Sequence, residues 1–221
     1  MLTASYLYLL CQAVDLRALQ RYFERETRKI VTDLLMKHFT LGSASATDEA
    51  KAKVADVVWA AFDTSANMDS KPRTEKAARA TTQPLVDLAL SSSAAAAFNF
   101  LSAMPTFQAE LADTLCTSYK SLTRAFLEDS LVPGAARYMP AAALLGRTRA
   151  LYAFIRGELR IGMHGRDNID SFAGGLGSGH WEGDRPSKEQ GRTIGGDVSL
   201  IYEAIRDGRL RPVLVSMFEG A

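Results

Sequence analysis

The chain has 221 residues, with 26 Lys+Arg against 25 Asp+Glu, a formal net charge of +1 and 47% hydrophobic content. This balance names no polyanionic partner, and the composition excludes the disordered, collagen-like and membrane-embedded classes. Two cysteines, Cys11 and Cys116, are too few for a disulfide framework and read as core thiols in a reducing compartment.

Residues 1 to 39 form the clearest element. Positions 2, 6, 9, 13, 16, 20, 23, 27, 30 and 34 advance in steps of four and three, and eight of the ten are apolar or Tyr, among them Leu2, Tyr6, Leu9, Leu16, Phe23 and Leu34. This spacing predicts a long helix with a heptad-like seam. Twelve of the first 16 residues are apolar or aromatic, so that half of the helix must be covered on most sides. After Arg17 the surface turns charged and one buried face is enough. No capping residue precedes the apolar pattern, which is already running at Met1 and Leu2, so the helix is expected to begin upstream. The stretch has no basic leader, and Gln12, Asp15 and Arg17 interrupt it well before the roughly 18 apolar residues of a membrane span. A soluble, cytoplasmic protein is the expectation.

After Leu41-Gly-Ser-Ala-Ser-Ala-Thr, Asp48 can cap a helix over about 49 to 62, with Val54, Val58 and Phe62 on its apolar face. A polar stretch from Asp63 to Arg73 follows. From Glu75 to Met104 the chain is rich in Ala, Ser and Leu, with Pro84 marking a kink or restart, and the Ser91-Ser-Ser-Ala-Ala-Ala-Ala run reads as a close helix contact. Pro105 should start a helix through about Ser130, bearing Phe107, Leu111, Leu115, Tyr119 and Phe126. Leu131-Val-Pro-Gly is a stop, and Arg147 to Leu159 reads as another helix. Ten of the 16 glycines fall between Gly162 and Gly196, which predicts a long mobile loop. Asp197 should cap a helix over Val198 to Arg206, closed by Gly208, and a short helix should follow Pro212. No run alternates with β-branched residues. The fold class is therefore all-α.

Catalytic chemistry is sparse. Gly174-Gly-Leu-Gly-Ser-Gly-His matches neither phosphate-binding pattern and follows no strand. His38, His164 and His180 lack ligand partners at a recognisable spacing, no paired cysteines occur, and no GxSxG elbow presents Ser178 or any other serine. Glu128 and Asp129 read as a solvated pair. Six arginines and one acid, Glu158, lie between Arg137 and Arg166; Arg149, Arg156 and Arg160 fall near one side of a helix. The acids that follow favour ion pairing or a subunit contact over nucleic acid. From the residues, no catalytic, cofactor-binding or metal-binding side chain is assigned.

Three stretches carry a resemblance. They are Tyr6-Leu-Tyr-Leu-Leu-Cys-Gln-Ala-Val-Asp-Leu-Arg17, then Leu151-Tyr-Ala-Phe-Ile-Arg-Gly-Glu-Leu159, and last Val198-Ser-Leu-Ile-Tyr-Glu-Ala-Ile-Arg-Asp-Gly-Arg-Leu-Arg-Pro-Val-Leu214. In order and spacing they resemble the C-terminal part of eukaryotic phenylalanine ammonia-lyases, the third being most similar to fungal members. The resemblance implies the end of a long central-bundle helix (1–39), a helical shielding or arch domain (40–147), and a C-terminal return segment (148–221) containing the Gly-rich loop 162–196 before the last helices. It further implies a homotetrameric carbon–nitrogen lyase that converts L-phenylalanine to trans-cinnamate and ammonia.

The family's electrophile, a methylidene-imidazolone (MIO), forms from an internal Ala-Ser-Gly. That triplet occurs nowhere in the 221 residues, and the family's other active-site residues lie N-terminal to the matched region. The resemblance thus implies a segment inactive alone, with lyase subunits as partners through the apolar helix from Leu2 to Leu16. The other reading is a stand-alone helical interaction module derived from such a lyase.

Overall fold

A computed structural model describes residues 1–39, 44–90, 94–129, 139–163 and 193–219. Among these, all regular structure is helical: α1 (Leu2–His38), α2 (Ala44–Asp63), α3 (Ser70–Arg79), α4 (Thr82–Leu90), α5 (Ala94–Asp129), a 3-10 turn (Ala142–Leu144), α6 (Arg149–Ala153) running into a π-helical turn (Phe154–Glu158), α7 (Ile194–Arg206) and α8 (Leu210–Glu219). No helix of the described residues is long and apolar enough to cross a membrane. The all-α expectation holds. Most of the Gly-rich loop, His164, His180, Trp181, Ser91 to Ser93 and the Leu131-Val-Pro-Gly stop lie outside the described residues.

The chain forms two compact units, residues 1–19 with 124–221 and residues 20–123. Both boundaries fall inside helices, one in α1 and one in α5.

In the unit 20–123 the expected seam is buried. Phe23, Thr27 and Leu34 are each less than 9% exposed, and Phe23 and Leu34 share a core with Val54, Val58 and Phe62 of α2, Leu85 of α4 and Phe107, Leu111 and Leu115 of α5. At one end of this core Phe23 lies 4.8 Å from the Phe62 ring and 5.0 Å from Tyr119, the latter edge to face. Arg73 closes the cluster. Its guanidinium carbon stands 3.6 Å from the Phe62 ring centre and its Nε donates to the Phe62 carbonyl at 2.8 Å. A cation so withdrawn from water is stable only with such partners, and a desolvated cation–π contact contributes about 2 kcal/mol. At the other end Lys37 Nζ and His38 Nε2 reach Glu110 at 2.5 and 2.7 Å, joining the C-terminus of α1 to α5.

Several boundaries differ from the periodicity. The stretch 63–73, read as polar and irregular, turns after Asp63, where the Thr64 and Ser65 hydroxyls donate back to the Ala60 and Ala61 carbonyls, and re-enters helix at Ser70. It is polar because α3 turns much of its surface to water while presenting Arg73, Thr74, Ala77 and Ala78 to the core. Pro84 marks a restart: it sits in the first turn of α4, where its missing N–H is not needed. Pro105 does not start a helix but lies inside α5. One intrahelical bond is forfeited there, and burial of Met104, Phe107 and Leu111 along the same helix outweighs it. In the unit 1–19 with 124–221, α7 begins at Ile194, capped by the Thr193 hydroxyl, which accepts from the Gly196 N–H at 3.1 Å. Asp197 is therefore a buried residue of the first turn rather than the cap. Gly208 closes the helix as expected, with φ +74°. Helix α8 starts at Leu210, with Pro212 in its first turn.

Truncating Phe23 to Ala should cost about 3–5 kcal/mol in urea unfolding, because a closely packed ring cluster cannot collapse into the space; a loss below 1 kcal/mol would contradict this packing. Lys37 and His38 hold the Glu110 carboxyl below its usual range. A carboxyl lowered on folding contributes stability that is present above its unfolded value, about pH 4.3, and lost as pH falls through the folded one. Glu110→Gln should accordingly flatten the acid limb of the stability profile, while an unchanged limb would show that Glu110 contributes nothing to it.

Candidate functional site

The first turns of α1 bury one row of side chains: Ala4, Tyr8, Cys11, Asp15 and Ala18, none more than 5% exposed. Four of these are small or apolar, or carry a polar tip on an apolar body. Asp15 is a carboxylate at 1% exposure, and such a group needs a counter-charge and hydrogen bonds. It receives both from the second motif. Arg156 Nη2 lies 2.6 Å from Asp15 Oδ2, and the Tyr152 hydroxyl donates to Asp15 Oδ1 at 2.5 Å.

The local backbone places these partners. Tyr152 and Arg156 are four residues apart, on the same side of a helical turn. The π-helical stretch, closed by Leu159 N–H donating to the Phe154 carbonyl at 3.0 Å, ends at Arg160 with φ 50°. That exit lets Arg156 Nη1 donate to the Ile161 and Gly162 carbonyls at 2.7 and 2.6 Å. One buried guanidinium thus ties α1, the π-turn and the chain leaving it. Of the three arginines expected on one helix side, Arg156 is inside and Arg149 and Arg160 are exposed; the wider π-turn breaks the 3.6-residue register that would align them.

The third motif meets the other two. Asp197, 5% exposed and next to its first residue, acts on Tyr8 across the site, and the Arg209 guanidinium stands 5.7 Å from the Phe154 ring centre. Burial pushes the Tyr8 and Tyr152 hydroxyls and the Asp15 carboxyl above their usual values, with Arg156 drawing Asp15 the other way. Burial likewise pushes the Cys11 thiol up to about 11. A thiol held protonated is a poor nucleophile and metal ligand, which fits the core-thiol reading of Cys11. No group of three His, Cys, Asp or Glu among the described residues could hold a metal ion. His38, the described histidine, is engaged with Glu110.

The opposite face of α1 has a different character. Leu2 is 70% exposed, Tyr6 58%, Leu9 57% and Leu16 47%. This is the upper half of the seam whose lower half, from Phe23 to Leu34, is buried. Beside it Leu7, Leu10, Cys11, Val14, Leu151 and Ile155 line an apolar hollow of about 180 Å³. A contiguous exposed apolar row of this kind marks an interaction surface. The arrangement presents an apolar surface; it assembles no nucleophile with a base.

Asp15→Ala should destabilise the chain by about 3–5 kcal/mol, because it strands a buried guanidinium. Tyr152→Phe, which removes one hydrogen bond to a charged group, should cost about 1.5–3 kcal/mol. Equal, near-zero losses in chemical denaturation would refute the buried tie.

Comparison with known proteins follows the three motifs. No family model matches the chain. It is 39% identical to the phenylalanine ammonia-lyase str11 of Strobilurus tenacellus over 99% of this chain and 28% of that protein. It is 37% identical to phenylalanine ammonia-lyase 2 of Pleurotus ostreatus over the same shares. The crystal structure of phenylalanine ammonia-lyase from Rhodosporidium toruloides superposes with a TM-score of 0.71 at 27% identity, covering 97% of this chain and 29% of that one. In sequence and in fold the chain thus corresponds to the C-terminal part of fungal phenylalanine ammonia-lyases, spanning about 28% of their length.

Proposed function

We propose that the chain serves as the C-terminal segment of a phenylalanine ammonia-lyase, the enzyme that removes ammonia from L-phenylalanine to give trans-cinnamate. The observation that carries this reading is the convergence of the three family-like stretches on one buried cluster, joined by Asp15, Tyr152, Arg156 and Arg209. They are related by contact as well as by resemblance.

Within such an enzyme the segment would act structurally, in the cytoplasm, as part of a homotetramer. Residues 1–39 would end a core bundle helix, with the row from Leu2 to Leu16 covered by lyase subunits. Residues 40–147 would form the arch that restricts access to the active site, its helices from about 84 to 130 forming the span, and residues 148–221 would return to the core. The family's MIO group does not fit the residues of this chain, because no Ala-Ser-Gly triplet is present to form it. No catalytic step is therefore assigned to any of its side chains.

The purified chain mixed with L-phenylalanine should give no rise in cinnamate absorbance. Added to a lyase deleted for the matching segment, it should restore tetramer and turnover together. Turnover by the chain alone, or no restoration in the mixture, would overturn the reading.

A further inference from the structure

We draw no further inference here: the strongest candidate, the apolar hollow of about 180 Å³ that Leu7, Leu10, Cys11 and Val14 of α1 form with Leu151 and Ile155, lies beside the exposed leucine row, and nothing in the structure shows what covers it.

Discussion

Asp15 and Arg156 give up their hydration to meet at 2.6 Å, and the features around them follow from keeping that arrangement satisfied. A lone buried charge would cost several kcal/mol. Here the guanidinium is shared between a carboxylate and two carbonyls, and the carboxylate between the guanidinium and a phenol. The π-turn, the left-handed Arg160 and the course of Ile161 and Gly162 are the backbone conformation that permits this sharing. Strain at Arg160 and the widened turn persist because relaxing them would strand charges.

The unit 20–123 meets its requirements by other means. Its core draws on α1, α2, α3, α4 and α5, and Arg73, a deeply placed cation, is satisfied by a ring face and a carbonyl of the same residue, Phe62. Arg73 therefore finds its partners within the unit itself. Helix α1 contributes to both units: Phe23 and Leu34 are buried in the unit 20–123, and Ala4 to Ala18 include buried residues of the unit 1–19 with 124–221. This divided use explains a helix that reads as apolar nearly all round at its start and amphipathic later.

Much of this was legible in the residues. The 4-3 spacing of α1, the apolar face of α2, the restart at Pro84 and the closing role of Gly208 rest on local chemistry, which a sequence displays directly. The start of α7 was misplaced because two glycines after Thr193 resemble loop, although the threonine cap fixes the turn. Pro105 misled for a related reason: its local preference for a first turn is overridden by the long apolar stripe on either side. The buried tie was hidden by distance. Tyr152 and Asp15 are 137 positions apart, and nothing in a sequence distinguishes an aspartate that will be buried with an arginine from one that ends an apolar stripe in solvent. The signal that was present is that Asp15 and Arg156 both fall inside the family-like motifs, Asp15 in the first and Arg156 in the second.

The proposed place of the chain in a phenylalanine ammonia-lyase would give the exposed leucine row a role as a surface for another helix. Sedimentation velocity on the 221-residue chain, compared with the same chain carrying Leu9→Glu and Leu16→Glu, tests this most directly. The account predicts concentration-dependent association of the parent, a monomeric variant, and identical circular dichroism for both. Sedimentation that is the same in the two would contradict the claim that this row is a docking face.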